Sequence, residues 1–289
     1  MGKIQNSMQL LKTSWGVLKT DKHLATIPVI SAFCSAAVMA AMGVGIFATI
    51  SKVPARSTNP LDGSVTSTQY QQTPATYIVI VAGYVLLSVV VTFFTAVLMA
   101  GAHERLTGGT PTLGSAFAKA STRLPQLLGW ALINATVGLV LRSIAERGGI
   151  LGQLIASTIN FAWNVVSWLA VPFVVIEGLG PFAALKRSAE VLRKTWGENL
   201  AANIGFGFIN LLVMLVAISI GALFIAVGLW MVGIVLALVI ITVGAVIVSA
   251  LTGIYRTALF MYAATGYVPQ GFDQQTLQAA FRNKKLGIL

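Results

Sequence analysis

Side-chain amides inside long apolar segments are the residues whose type and spacing could do chemistry. Asn134 lies in one such segment, Asn160 and Asn164 in the next, and Asn203 and Asn210 in a later one. In a helix, spacings of four and seven residues place each pair on one face. Such a face predicts hydrogen bonds to a neighbouring helix, the interpretation we favour, or alternatively a polar ligand pocket between helices.

The titratable residues form no pattern typical of catalysis. His23 and His103 are far apart, Cys34 is the single cysteine, and the eight carboxylates are scattered between the apolar segments. A metal site needs several ligands that converge, and acid–base catalysis needs a positioned pair. Neither a Gly-Lys-Ser/Thr phosphate loop nor a Gly-x-Ser-x-Gly elbow occurs. We therefore expect no enzymatic activity, no metal and no cofactor.

The elements that must hold the asparagines are hydrophobic helices. Of the 289 residues, 56% are hydrophobic and only 9% are charged, whereas soluble proteins carry about 25% charged residues. About 20 apolar residues cross the hydrocarbon of a bilayer as a helix. The sequence therefore predicts an all-α, polytopic, single membrane domain over 1–289. Its six transmembrane helices are expected at 24–50, 75–101, 125–145, 150–176, 200–227 and 230–262.

The basic residues indicate the orientation of these helices. Fifteen of the 19 Lys and Arg residues fall on the side that holds both termini, and cytoplasmic segments carry the excess of positive charge. We therefore expect both termini, and a tail over 263–289, in the cytoplasm. The polar segment 51–74 is expected to be a loosely ordered external loop. The net charge of +11 is dispersed at the ends of apolar segments, which favours anionic lipid headgroups over nucleic acid.

A local pattern recurs before two of the predicted spans. Ser, Leu, a basic residue, a hydroxyl residue, Trp and Gly occur at the same offsets in 7–16 and 188–197, and 112–124 is a weaker third copy. Apolar residues at helical spacing predict amphipathic helices in the headgroup layer over 3–20, 112–124 and 182–197. Each would lead into a two-span hairpin. The expected interface anchors are Trp15, Trp196, Lys12, Arg193 and Lys194.

Two further residues have predicted positions at span ends. Pro172 is expected to bend and end the fourth span near Glu177, because proline cannot continue the helical hydrogen-bond pattern. Arg256 is expected near the end of the sixth span, where a long basic side chain reaches the headgroup layer.

Several short motifs carry a family resemblance. Gly180-Pro181, Lys186-Arg187-Ser188 and Thr195-Trp196-Gly197 resemble an uncharacterised family of prokaryotic six-pass membrane proteins, one of the domain-of-unknown-function families. The chain also looks distantly similar to the membrane portion of some glycerophosphodiester phosphodiesterases, without their soluble catalytic domain. The resemblance implies a prokaryotic plasma membrane and supplies no active-site residues.

Two functions follow as expectations. The first is a non-enzymatic membrane scaffold or complex subunit, which binds a membrane-protein partner or a second copy of itself. The alternative is a transporter or lipid-handling protein, with a polar site between the third, fourth and fifth spans. A cavity lined by Asn134, Asn164 and Asn203 would favour the alternative.

Overall fold

A computed structural model describes residues 3–21, 23–58, 65–71, 73–196, 204–274 and 277. The described residues form helices connected by short turns, and one antiparallel β-hairpin. In chain order the elements are α1 (Lys3–Thr20), α2 (His23–Thr49), β1 (Ser51–Thr58), β2 (Val65–Gln71), α3 (Pro74–Leu106), α4 (Leu113–Ser121), α5 (Leu124–Arg147), α6 (Gly149–Val166), α7 (Ala170–Val175), α8 (Pro181–Trp196), α9 (Ile204–Ala226) and α10 (Trp230–Thr265).

Five of the helical segments are long and apolar enough to cross a membrane. They are α2, α3, α5, the α6–α7 pair and α10. A helix rises about 1.5 Å per residue, so each exceeds the roughly 30 Å of bilayer hydrocarbon. The expectation of a helical protein with several membrane-length apolar segments is confirmed. Within α9, Leu211–Ala226 is a shorter apolar helix, and the six-span arrangement itself stays a prediction.

Consecutive long helices pack as pairs. Helix α2 lies against α3, α5 against α6, and α9 against α10, and α3 also contacts α5 and α10. In the core, Phe173 and Phe260 meet edge to face, with 4.9 Å between ring centroids. Gly253 lets α10 approach α3, because a Cβ at this position would overlap the side chain of Leu98.

The short helices α1, α4 and α8 gather at one end of the long helices, and we call this end the belt. Arg105 at the end of α3 forms a 2.8 Å ion pair with Asp21, in the turn between α1 and α2. Helix α4 begins with a capping box, in which the Thr112 hydroxyl accepts from Ser115 N and the Ser115 hydroxyl accepts from Thr112 N. At the opposite end, the chain reverses at Gly148 and at Gly228, whose φ of 81° suits glycine.

The segment 51–74, expected to be a loosely ordered loop, contains the β-hairpin instead. Strand β1 pairs antiparallel with β2, from Ser51 opposite Gln71 to Thr58 opposite Val65. Strand β2 reads Val-Thr-Ser-Thr-Gln-Tyr-Gln, and its Val, Thr and Tyr residues have high β-propensity. The polar composition of 51–74 predicts a loop, but the β-propensity of its residues determines the structure.

The fourth predicted span is broken earlier than expected. We predicted a bend at Pro172, but helix α6 ends at Val166 and α7 begins at Ala170. Pro172 lies buried inside α7 and has no N–H for the Trp168 carbonyl, four residues earlier. The break is filled from α8. The Ser188 hydroxyl accepts a hydrogen bond from Leu169 N at 3.2 Å and donates one to the Val166 carbonyl at 2.5 Å.

Candidate functional site

A polar stripe follows the outer face of α6. We call it the α6 stripe, and it consists of Gln153, Ser157, Asn160, Asn164 and Ser167. The spacings alternate between four and three residues, so these side chains lie on one face of the helix. The first four residues are exposed and Ser167 is half-buried. A candidate membrane span therefore presents amides and hydroxyls to its surroundings.

Hydrogen bonds satisfy only part of this stripe. The Asn164 side-chain N–H donates to the Asn160 backbone carbonyl at 2.8 Å and to the Asn160 side-chain oxygen at 3.1 Å. Within the described residues, no hydrogen bond uses the Asn160 side-chain N–H groups or the Asn164 side-chain oxygen. These two amides on the outer face of α6 thus retain free donors and acceptors.

Asn134 on α5 is held next to this stripe by an aromatic pair. Its side-chain oxygen accepts a hydrogen bond from Trp163 Nε1 at 3.0 Å. The Trp163 ring stacks on Trp130, with 5.9 Å between centroids and 9° between planes. Asn134 is itself exposed. The structure therefore brings Asn134, Asn160 and Asn164 to one outer surface of the α5–α6 pair.

The depth of these asparagines follows from the hairpin turn at Gly148. Asn160 and Asn164 come 12 and 16 residues after the turn, and Asn134 comes 14 residues before it. At about 1.5 Å per residue, all three lie roughly 18–24 Å from the turn. In hydrocarbon about 30 Å thick, this depth is within the apolar layer, where water does not satisfy amides.

Among the described residues, the fifth predicted span contributes no asparagine side chain to this α5–α6 surface. Asn203 lies outside the described residues, as does the side chain of Asn210 on α9. Helix α9 packs chiefly against α10 and also touches α1. Within the described structure, Asn134 and Asn164 are exposed at an outer surface.

The predicted interface anchors lie on the belt. Lys12, Arg193 and Lys194 are exposed. Trp15 is 39% exposed, and Lys19 Nζ lies 5.8 Å from the centre of its ring. The side chain of Trp196 is outside the described part of the structure. An anchor that the prediction omitted is Phe182, which is 75% exposed at the first turn of α8.

Two polar features lie where α3 meets the belt. A cavity of about 680 Å³ between α1 and the end of α3 is lined by Lys12, Thr20, Arg105 and Gln270, among others. The lining carries positive charge and hydroxyl groups. The cavity opens to the belt surface.

The second feature joins α3 to α4. The Ser115 hydroxyl donates to Glu104 at 2.8 Å, and Lys119 Nζ lies 3.5 Å from His103 Nδ1. Partial burial lowers the pKa of Lys119; the Arg123 charge also lowers it, and Glu104 opposes both. Among the described residues, no three His, Cys, Asp or Glu side chains converge as metal ligands would.

Arg256 is a polar residue whose surroundings the sequence analysis did not predict. Helix α10 continues to Thr265, so Arg256 lies well inside the helix. Its Nε is buried and forms no hydrogen bond within the described structure, and its Cζ lies 5.3 Å from the centre of the Trp168 ring. The sequence contains one indication of a polar face on α10, because Ser249, Thr252 and Arg256 share a helix face at spacings of three and four residues.

Comparison with known proteins gives a family and relatives of unknown function. A family of unknown function (DUF6159) matches residues 74–271. The chain is 27% identical over 217 residues to the uncharacterized protein Rv2560 of Mycobacterium tuberculosis. It is equally similar to the uncharacterized protein Mb2590 of Mycobacterium bovis. These alignments cover 75% of the chain but only 60% of each relative. The likeness to glycerophosphodiester phosphodiesterases stays a prediction.

Proposed function

The chain belongs to the DUF6159 family of unknown function, and on that premise we propose that it is a non-enzymatic scaffold or subunit of a membrane protein complex. In this proposal it spans a prokaryotic plasma membrane six times, with both termini in the cytoplasm and the belt against anionic lipid headgroups. Five membrane-length helices support the membrane location. The basic residues of α1 and α8 support the orientation.

The observation that carries the proposal is the exposed α6 stripe. Polar side chains inside a membrane normally face another helix or a water-filled cavity. Asn160 and Asn164 instead face outward and retain unused hydrogen-bonding groups. Amides and hydroxyls carry both donors and acceptors, so a facing helix with similar residues would satisfy them. We therefore assign the α6 stripe as the docking face for a transmembrane helix of a partner subunit or of a second copy.

Each hydrogen bond between the docked helices is expected to contribute only a modest free energy. Hydrogen bonds between helices in membranes contribute about 0.6 kcal/mol on average and up to about 1.7 kcal/mol. Three bonds from Asn134, Asn160 and Asn164 would contribute about 2 kcal/mol. That free energy corresponds to about a thirtyfold change in dissociation constant.

Photo-crosslinking in native membranes tests the docking face. A benzophenone amino acid replaces Asn160, and the matched control carries it at Leu86, an apolar residue of α3 that is 51% exposed. We expect a protein crosslink from position 160 only, to a stoichiometric partner or to a second copy. Crosslinks to lipid alone from both positions would contradict the proposal.

A variant pair tests whether the amides hold the complex together. Asn160→Leu with Asn164→Leu should raise the dissociation constant of the complex in mild detergent about eightfold, as the loss of two such bonds predicts, whereas Thr158→Val should leave it unchanged. Thr158 is exposed on the same helix but outside the stripe, and its hydroxyl bonds only to Leu154 O of its own helix. A single monodisperse chain isolated from wild-type membranes would also count against a scaffold.

The alternative of a transporter with a polar site between spans three, four and five has less support. It requires the asparagines to enclose a cavity, whereas those of α5 and α6 lie on an outer surface. Lipid handling is favoured by a different observation, the cavity next to Arg256. That cavity lies between α3 and α10 and is independent of the asparagines.

A further inference from the structure

A groove between α3 and α10 holds a guanidinium group that has no anionic partner among the described residues. The groove has a volume of about 260 Å³ and is lined by Thr95 of α3 and by Ser249, Thr252 and Arg256 of α10. The ion pairs of the described residues use Arg105, Arg142 and Arg187. Arg256 forms none of these, and its buried Nε has no hydrogen-bond acceptor within the described structure.

Arg256 is half-buried, and a partly buried charge without a partner is costly, so this guanidinium calls for an anion. The Trp168 ring, 5.3 Å from the Arg256 Cζ, provides a cation–π contact. The face of the ring does not accept hydrogen bonds from N–H groups that lie in the guanidinium plane, whereas an oxygen does. An anionic oxygen in the groove would satisfy them, because guanidinium binds phosphate and carboxylate through paired hydrogen bonds.

The groove also supplies hydroxyl donors next to the guanidinium. Within the described residues, the hydroxyls of Ser249 and Thr252 form no hydrogen bond, so both can donate to an oxyanion. The Thr95 hydroxyl already donates to Val91 O of its own helix at 2.7 Å. One guanidinium and two hydroxyls on a single helix face match the oxygens of a phosphodiester.

The rest of the groove is apolar and runs along α10 from Arg256 toward the membrane interior. Its walls there include Ala245, Val248 and Leu98. From Ala245 to Arg256 is 11 residues, or about 16 Å along the helix. This length accommodates much of an acyl chain below a phosphate.

The depth of Arg256 agrees with a phosphate at the headgroup level. Arg256 lies 26 residues beyond Trp230, so it is about 39 Å along α10 from the opposite end. Thr95 lies 21 residues beyond Pro74, or about 31 Å along α3. Because the hydrocarbon is about 30 Å thick, both residues fall at the lipid headgroups on the belt side.

We propose that the α3–α10 groove binds one glycerophospholipid, with its phosphate on Arg256, Ser249 and Thr252 and an acyl chain along Val248 and Ala245. The site is separate from the α6 stripe and does not depend on the scaffold proposal. A bound lipid would close the gap between the two longest helices at the belt.

Native mass spectrometry and thermal unfolding of the full-length, delipidated protein test this site. We expect one retained phosphatidylglycerol per chain in wild type, and stabilisation on adding phosphatidylglycerol but not diacylglycerol, which lacks the phosphate. Inorganic phosphate at millimolar concentration separates a free anion from a lipid. If it stabilises as strongly as phosphatidylglycerol, the lipid assignment is overturned.

Two variants probe the two ends of the groove. Arg256→Gln removes the charge and should weaken phosphatidylglycerol binding at least about tenfold. Ser249→Phe fills the groove from an exposed position, so it should abolish lipid retention while the protein stays folded. Arg187→Gln on α8, an exposed position, is the matched control and should bind as wild type does. Equal lipid retention by wild type and Ser249→Phe would overturn the proposal even if Arg256→Gln does not fold.

Discussion

Substituting Ser188 by alanine should destabilise the break between α6 and α7. The Ser188 hydroxyl serves two backbone groups, the N–H of Leu169 and the carbonyl of Val166. Ser188 is fully buried and Leu169 is 1% exposed, so water does not replace the lost bonds. A buried polar group left without a partner costs about 1–3 kcal/mol. With Val166 half-buried, we expect a total loss of about 3 kcal/mol.

The assay is thermal unfolding of the purified protein in one detergent, followed by tryptophan fluorescence. By the scale for soluble domains of comparable size, about 3 kcal/mol lowers Tm by about 6–12 °C. Ser143→Ala, at an exposed serine of α5, is the control and should change stability by less than about 0.5 kcal/mol. If Ser188→Ala and Ser143→Ala unfold at the same temperature, the hydroxyl does not support the break and the reasoning is refuted.

Three further predictions concern other polar contacts. Asp21→Asn weakens the 2.8 Å pair with Arg105 and should cost about 1–3 kcal/mol, measured as a lower Tm; an equal loss in an Arg105→Gln background would contradict this. Burial lowers the pKa of Lys119 below its ordinary 10.5, so the unfolded chain binds more protons between the two pKa values. Wild type should therefore gain stability relative to Lys119→Met as pH rises toward 10.5; a pH-independent difference in Tm would contradict it. Trp163→Phe removes the bond to Asn134 but keeps the stacked ring, and should cost about 1 kcal/mol; a double-mutant cycle with Asn134→Leu should show that the losses are not additive.

The long apolar helices could be predicted because their signal is local. Helix α2, for example, covers 27 residues without a charged side chain, and such a segment is stable as a helix in hydrocarbon whatever lies next to it. The break before Pro172 could not be placed in the same way. It depends on a hydroxyl of Ser188, which is 19–22 residues away in the sequence, and residue periodicity carries no information about that contact.

The candidate site was predictable in part for the same reason. The shared face of Asn160 and Asn164 follows from their spacing, and the structure places both on one face. The sequence does not encode which neighbour that face meets, so the expected meeting with the fifth span had no local signal. The contact of Arg256 with the Trp168 ring could not be predicted either, because it joins residues far apart in the sequence.

The lengths of α3 and α10 have a mechanical consequence. These helices contain 33 and 36 residues, or about 50 and 54 Å of rigid rod, and they pack against each other. Both exceed the thickness of bilayer hydrocarbon by about 20 Å, so they must tilt or project into the headgroup layer. Because α4 packs on α3 and α1 packs on α10, the two rods fix the height of the belt above the membrane midplane. A thinner bilayer would therefore expose more of the belt to water, so lipid thickness alone can change how deeply these helices are immersed.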